Sequence, residues 1–168
     1  MDLHLTSEQI LLRDSAAKFI GAAGPKVARG FREHDPGFAP ERLRQAGELG
    51  WLGILVPPSA DGLGLGLTEL ALVLEQAGRG LVCEPIGLAA IAAAALAQGH
   101  TPHPMLKRAM AGTALVVPAL QENAHGDDLL APHTQAEETD RSLRLTVTKS
   151  FVCADGADVF LVSAGGRD

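Results

Sequence analysis

The sequence lacks the motifs that would point directly to a nucleophile or a zinc site. Its two cysteines, Cys83 and Cys153, lie far apart and form no metal or redox pair by their spacing. So few cysteines are typical of a reducing compartment. No GxSxG, HExxH or CxxC motif occurs, and no neighbouring histidine would activate Cys153. We therefore expect a structural role for Cys153.

Positive charge and long apolar runs are also missing. The net charge of -6 argues against a nucleic-acid partner, which would require a basic patch. The longest apolar run begins at Ile86 and reaches about half of the roughly 20 residues of a membrane span. The first residues contain acids and no apolar signal-peptide core. We expect a soluble, cytoplasmic protein without a membrane span.

The histidines do not form a metal-binding pattern. His100 and His103 are three residues apart in "GHTPHPM", but no Cys, Asp or third His accompanies them. A solvated loop is the expected structure there. The sequence predicts no metal site.

The first helix has a clear start signal. Thr6 and Gln9 fit a capping box, and the apolar face that follows ends near Gly21. The stretch 24–38 contains two prolines and three glycines and is predicted to be mostly a linker.

Further helices follow at regular intervals. Pro40 suits the first position of a second helix, and Trp51 opens a short buried segment. Thr68 is predicted to cap a third helix. The alanine-rich stretch 85–97 is apolar nearly all round, which is typical of a helix inside a bundle. A short fifth helix is predicted over 105–111.

The pattern changes at Gly112. Residues 113–120 and 157–164 are rich in β-branched and apolar residues, as in strands. Residues 142–152 alternate apolar and polar side chains, which predicts a half-buried strand. The region 123–140 is loop-like, with room for one short strand.

These elements predict an α+β protein with two parts. Residues 1–111 form a helical bundle, and residues 112–168 form a partial antiparallel β domain. So small an open sheet would leave edges and an apolar face uncovered. We therefore expect either that the polypeptide continues or that a partner completes the sheet.

Three glycines at alternate positions, Gly62, Gly64 and Gly66, raise the question of a phosphate-binding loop. The spacing is GxGxG, not the GxGxxG of a dinucleotide fingerprint. The preceding "VPPSAD" is a turn rather than a strand, and the P-loop lysine is absent. A tight turn before a helix is the favoured interpretation.

The order of several motifs resembles the acyl-CoA dehydrogenase family. "LTSEQILLRDSAAKFI", "LGWLGILVP" and "GLGLTELALVLEQAGRG" resemble the family's amino-terminal helical domain. "ALQENAHGDD" from Ala119 is similar to the family's "TEPGAGSD" segment, and "TVTKSFVCAD" from Thr146 to its "GxKxWITN" segment. The resemblance covers the whole chain.

The resemblance implies a flavoprotein with a helical domain, a middle β domain and a carboxy-terminal helical domain. Family members use FAD to oxidise an acyl-CoA thioester at the α,β carbons. A glutamate removes the α proton, flavin N5 takes the β hydride, and an electron-transfer flavoprotein receives the electrons. Members form homo-oligomers, and some are heteromers with a homologous subunit. The acyl group, whether fatty, branched, aromatic or steroid-derived, stays open.

The resemblance also implies which residues line the flavin. A flavin needs donors that stabilise the negative charge of its reduced ring. Two segments supply them in the family, and Phe151 takes the place of the aromatic residue against the isoalloxazine. The implied cofactor-binding residues are Leu120, Gln121, Gly126, Asp127, Phe151, Val152 and Cys153.

Departures from the family pattern leave an alternative open. Gln121 stands at a threonine position, Asp127 at a serine position, and Cys153 at a threonine or serine position. Main-chain donors survive these changes, whereas hydroxyl donors are lost. A non-catalytic subunit that supports a catalytic homologue is therefore the second hypothesis, and a helical interaction module without cofactor the third.

No catalytic residue is assigned. The family's catalytic glutamate belongs to the carboxy-terminal domain, which these 168 residues do not include. Glu75 is expected on a solvated helix face, Glu84 at a helix start, and Glu122 as a residue that orients a loop.

Overall fold

The structure is a computed structural model that describes residues 4–21, 24–98, 103–123, 129, 131–140, 142–153 and 155–165. The helices are α1 Ser7–Ile20, α2 Gly24–Gly30, α3 Pro40–Glu48, α4 Leu67–Arg79, α5 Ile86–Leu96 and α6 Leu106–Met110, with short 3₁₀ turns at Phe31–Glu33, Trp51–Gly53 and Pro58–Ala60. The strands are β1 Val116–Ala119, β2 Ala136–Thr139, β3 Ser142–Leu145 and β4 Val159–Val162. The predicted class, helices followed by a small β region, is confirmed. Within the described residues, every helix is too short or too polar to cross a bilayer.

Local start signals place most helix boundaries correctly. The Thr6 hydroxyl accepts a hydrogen bond from the Gln9 N–H at 3.2 Å, and the Gln9 side chain accepts one from the Thr6 N–H at 3.0 Å. Pro40 is the first residue of α3, as predicted. The predicted cap at Thr68 is wrong by two residues, because the Glu69 carboxylate accepts from the Gly66 N–H at 2.9 Å and helix α4 begins at Leu67.

The stretch 24–38 is more ordered than a linker. Helix α2 and the turn Phe31–Glu33 occupy its first ten residues. Helix α2 has no buried residue, so the hydrophobic pattern that normally marks a helix is absent from its sequence. Phe38, at the end of this stretch, is buried in the main core.

The core is built around α5 and the turn that begins at Trp51. The alanines of α5 allow close approach, and this helix contacts β1, α6 and the Trp51 turn. Trp51 is fully buried and meets Phe19 edge to face, with ring centroids 5.1 Å apart. Burial of such aromatic and aliphatic side chains is the main source of stability. The helical part and β1 share two apolar clusters, because Val117 packs in the cluster around Trp51 and Val116 in a second cluster with Val56 and Leu106.

The glycine-rich stretch is a turn whose main chain is already hydrogen-bonded. The N–H of Gly64 donates to the Val56 carbonyl at 2.8 Å, and that of Gly62 to the Pro57 carbonyl at 3.2 Å. A Cβ atom on Gly62 would lie 2.1 Å from the Val56 carbonyl oxygen. Because these amides are engaged, they cannot cradle a phosphate, and the turn prediction is confirmed.

The strands pair in two separate sheets. Strand β1 pairs with β4 in parallel, with Val116 opposite Val159, whereas β2 and β3 form an antiparallel hairpin. The antiparallel arrangement predicted for the whole β part is therefore wrong for the pair of β1 and β4. The long connection between β1 and β4 permits this parallel return. A parallel bridge between Gln135 and Gly165 continues from the end of β4.

The hairpin also corrects the prediction of a half-buried strand over 142–152. Regular pairing ends at Leu145, and all four residues of β3 are exposed. Leu143 is 64% exposed and Val147 is 38% exposed. Their alternation is real, but none of the described residues forms a layer over their apolar face.

Candidate functional site

The two predicted flavin-facing segments lie side by side. The first, Leu120–Asn123, follows β1, and the second, Lys149–Cys153, follows the hairpin. The N–H of Ser150 donates to the Gln121 carbonyl at 2.7 Å, and its hydroxyl donates to the Glu122 carbonyl at 3.4 Å. Segments 28 residues apart in the chain thus form one surface.

A buried lysine fixes this junction. The Lys149 side chain is 5% exposed, and its Nζ donates to Glu122 Oε1 at 2.9 Å. The Leu120 carbonyl at 3.2 Å and the Ser163 carbonyl and hydroxyl at 2.8 and 3.0 Å also lie within hydrogen-bond distance of this ammonium, which shares its three N–H groups among them and Glu122. It therefore ties together the ends of β1 and β4 and the second segment. A buried ammonium is tolerated only when it is paired and hydrogen-bonded in this way.

Glu122 is the centre of the polar cluster around Lys149. The Glu122 carboxylate accepts hydrogen bonds from the main-chain N–H groups of His133 and Thr134 at 2.7 and 2.8 Å. It also accepts a short hydrogen bond from the Thr134 hydroxyl. The Thr134 hydroxyl, followed by Lys149, holds the pKa of this carboxyl well below its usual range. Glu122 is thus ionised at neutral pH and orders the chain around it, as the sequence predicts.

Phe151 stands out from the surface beside this cluster. Its side chain is 75% exposed, and its main chain has φ of 53°. Positive φ is uncommon for a residue with a bulky side chain, so the surrounding contacts hold this conformation. Val152 is half-buried and packs against the main core, whereas Cys153 is exposed. The segment therefore presents one ring outward from a firmly anchored backbone.

Main-chain donors accompany that ring. Within the described part of the chain, the hydrogen bonds provide no protein acceptor for the N–H groups of Phe151, Val152 and Cys153. Unpaired donors on a rigid backbone are suited to a ligand with hydrogen-bond acceptors. Leu120 is 37% exposed on the neighbouring segment.

Of the three remaining predicted cofactor-binding residues, the structure describes only Gln121. The Gln121 amide donates to the Asn123 carbonyl at 2.8 Å, so one of its two N–H groups is used within its own loop. Gly126 and Asp127 lie outside the described residues.

A pocket of about 290 Å³ adjoins the second segment. It is lined by Gly37, Phe38, Cys83, Pro85, Leu88, Cys153 and Asp155. It lies where the helical part meets the chain after the hairpin. Most of its wall is apolar, so it suits an apolar group.

The other acids hold structural positions. Glu75 is half-exposed and pairs with Arg79 at 2.7 Å, as expected for a solvated helix face. Glu84 does not lie in the first turn of α5. Its side chain is 3% exposed, and it accepts from the Ala39 N–H at 3.2 Å and faces Arg42 Nε at 3.6 Å. It therefore caps α3 from a distance, because Ala39 is the N-cap of that helix.

Sequence reasoning missed the role of Lys149. It lies in an alternating polar and apolar stretch where a lysine is usually solvated. The signal available was the presence of one acid and one base close to the predicted flavin-facing residues, with Glu122 next to Gln121 and Lys149 two residues before Phe151. Among the described residues, no three His, Cys, Asp or Glu side chains come together as metal ligands.

The chain thus combines a helical region, a short parallel strand pair and an exposed aromatic ring beside a buried Lys–Glu pair. The model of the acyl-CoA dehydrogenase N-terminal domain matches residues 6–102. The chain therefore belongs to the acyl-CoA dehydrogenase family.

Two kinds of relatives support this assignment. Cyclohex-1-ene-1-carbonyl-CoA dehydrogenase of Geobacter metallireducens is 34% identical over 175 residues, which cover 96% of this chain and 44% of the relative. A variant of the Tcur3481–Tcur3483 steroid acyl-CoA dehydrogenase has a TM-score of 0.82 at 30% identity, covering 96% of this chain and 45% of that one. The chain thus spans about half the length of the relatives that it matches.

Other solved structures show the same fold. The ChsE4–ChsE5 complex of Mycobacterium tuberculosis matches with a TM-score of 0.82 at 26% identity, over 99% of this chain and 46% of that one. An acyl-CoA dehydrogenase of Bacillus anthracis, solved in complex with FAD, matches with a TM-score of 0.71 at 23% identity, over 96% of this chain and 29% of that one. At that identity the likeness concerns the fold alone.

Proposed function

We propose that the chain supplies the helical domain and one flavin-facing wall of an enzyme that dehydrogenates an acyl-CoA thioester at its α,β carbons. The single observation that carries this proposal is the junction of the Leu120–Asn123 and Lys149–Cys153 segments through Lys149. In an acyl-CoA dehydrogenase, two segments of this kind meet at the flavin. Electrons would pass from the flavin to an electron-transfer flavoprotein.

The residues present fit FAD. The isoalloxazine is flat, with an apolar end and a pyrimidine edge that carries hydrogen-bond acceptors. The exposed ring of Phe151 offers an apolar face, and the N–H groups of Val152 and Cys153 offer donors. FAD supplies the hydride acceptor, which no amino-acid side chain can provide.

Each described residue then has a defined role. Phe151 would orient the cofactor by ring contact. The N–H groups of Val152 and Cys153 would donate to acceptors of the pyrimidine edge and stabilise negative charge there. Lys149 and Glu122 keep both segments in place and touch neither cofactor nor substrate. The pocket lined by Phe38, Leu88 and Cys153 excludes water from the acyl side.

Flavin binding tests the proposal. The purified protein is expected to be yellow, with the flavin absorbance near 450 nm that this cofactor brings. Phe151→Ala should weaken FAD binding about fivefold, since a stacked aromatic contact contributes on the order of 1 kcal/mol. Phe160→Ala is the matched control, because Phe160 is also exposed, at 49%, but lies on β4 and belongs to neither segment. Equal FAD affinity of the two variants would contradict the assigned wall.

A second candidate is a non-catalytic subunit that supports a homologous catalytic subunit. Two observations favour it: Gln121 and Cys153 replace hydroxyl-bearing residues of the family pattern, and a fold relative was solved as the ChsE4–ChsE5 complex. This candidate predicts a colourless, folded protein that co-purifies with a flavin-containing homologue. A yellow protein that is active on acyl-CoA by itself would exclude it.

A further inference from the structure

Two thiols that are far apart in the sequence share one pocket. Cys83, from the loop before α5, and Cys153, from the second flavin-facing segment, both line the cavity of about 290 Å³. Neither forms a disulfide in the structure. Cys83 lies on the helical side of this pocket and Cys153 on the β side, so the pocket spans the boundary between the two.

The segment Gly37–Ala39 holds both walls. The Gly37 N–H donates to Asp155 Oδ2 at 2.7 Å, and the Ala39 N–H donates to Glu84 Oε1 at 3.2 Å. Asp155 is two residues from Cys153, and Glu84 is next to Cys83. Because the two donors are themselves only two residues apart, about 7 Å of extended chain, these carboxylates bring the cysteine-bearing segments together.

Tight packing reinforces the Cys153 side. A Cβ atom on Gly156 would lie 2.7 Å from a Pro36 side-chain atom and 2.9 Å from the Phe38 ring. The main chain at Gly156 therefore lies directly against the Pro36–Phe38 segment. The positions of the two thiols are thus coupled by hydrogen bonds and by packing.

The two thiols differ in accessibility. Cys153 is exposed, whereas Cys83 is half-buried and its thiol lies 3.8 Å from the Leu81 carbonyl. Burial, followed by the charge of Glu84, raises the pKa of the Cys83 thiol. The charged groups around the pair are Glu84 and Arg42 beside Cys83 and Asp155 beside Cys153. An external oxidant should therefore reach Cys153 first.

We propose that Cys83 and Cys153 form a redox-sensitive dithiol whose oxidation by a small disulfide links the two walls of this pocket. The Cys153 thiolate attacks the oxidant, forms a mixed disulfide and releases one small thiol. The Cys83 thiolate then attacks the Cys153 sulfur, forms the Cys83–Cys153 bond and releases the second small thiol. The protein loses two electrons and two protons, and the small disulfide is reduced to two thiols.

The consequence is closure of the pocket. A disulfide holds its Cα atoms about 5.5–6 Å apart, which leaves no room for a ligand between the two residues. The bond would also join the helical part to the β part. This inference concerns the protein without bound FAD, because the proposed flavin wall includes Cys153, and the mapping experiment therefore uses the flavin-free protein.

Peptide mapping tests the proposal directly. The intact protein is incubated with oxidised glutathione at low protein concentration, alkylated, digested with trypsin without reduction and analysed by mass spectrometry. The expected product links peptide 80–107 to peptide 150–167, with a loss of two hydrogen atoms and no glutathione. Dithiothreitol should separate the two peptides. The yield at a fixed early time should rise with pH as Cys83 ionises.

Two variants complete the test. Cys83→Ser should accumulate glutathione on Cys153 and form no internal link, and Cys153→Ser should leave Cys83 largely unmodified. Mixed ¹⁵N-labelled and unlabelled protein distinguishes a link within one chain from a link between two. Separate glutathione adducts on both cysteines of the wild-type protein, or links between chains only, would overturn the proposal. The wild-type map decides the question even if a variant fails to fold.

Discussion

Removal of the buried Glu84 carboxylate is expected to destabilise the protein substantially. Glu84→Ala leaves the Ala39 N–H at the start of α3 without its acceptor, and an unsatisfied buried donor costs about 1–3 kcal/mol. It also removes the partner of Arg42, but that side chain is 31% exposed and the contact is 3.6 Å, so its share is about 1 kcal/mol or less. The free energy of unfolding should fall by about 2–3 kcal/mol.

The control and the assay are provided by the chain itself. Glu84→Gln keeps the side-chain volume and an oxygen acceptor for the Ala39 N–H, so its loss should stay near 1 kcal/mol or less. Trp51 is the only tryptophan and is buried in the core, which makes its fluorescence a probe of urea unfolding. The midpoint should shift with an unchanged slope. If Glu84→Ala unfolds like the wild type, or if both variants lose the same free energy, the assigned capping role is wrong.

Three further predictions concern two glycines, the dependence of stability on acidic pH and the cap of the first helix. Gly112→Ala should destabilise the protein by more than about 1 kcal/mol, because φ at Gly112 is 64° and the new Cβ would lie 2.5 Å from the Leu43 carbonyl oxygen. The control, Gly78→Ala, places its Cβ in open space on α4 and should stabilise the protein by about 0.5–1 kcal/mol. Thermal unfolding measures both changes. Folding lowers the pKa of Glu122, so its contribution to the free energy of unfolding is complete above the usual carboxylate range and is lost as the pH falls. Glu122→Gln should therefore make the free energy of unfolding, measured with urea, depend less on pH on the acid side. Thr6→Ala should cost about 1 kcal/mol through loss of the cap, and an unchanged midpoint would contradict the capping box.

Elements with local signals could be predicted from the sequence. The capping box at Thr6, the proline that opens α3 and the alanine-rich α5 each depend on a few neighbouring residues. Helix α2 was missed because it buries no side chain and so has no hydrophobic period. Local chemistry therefore defined the helices that have a cap or an apolar face.

Contacts between distant residues could not be predicted in the same way. The parallel pairing of β1 with β4 depends on how the intervening chain returns, which the alternation of side chains does not encode. The hydrogen bond between Glu84 and Ala39 joins residues 45 positions apart, and that between Lys149 and Leu120 joins residues 29 positions apart. The resemblance predicted two flavin-facing segments, and the hydrogen bonds of Lys149 supply the physical reason why these segments are adjacent.

The central claim is that the Leu120–Asn123 and Lys149–Cys153 segments form one wall that binds a flavin. Hydrogen–deuterium exchange of the protein with and without added FAD tests it most directly. The account predicts slower exchange in both segments when FAD is present, including the amides of Phe151, Val152 and Cys153, with no change in the turn around Gly64, whose amides are already hydrogen-bonded. Protection that appears in neither segment, or only in regions remote from both, would contradict the account.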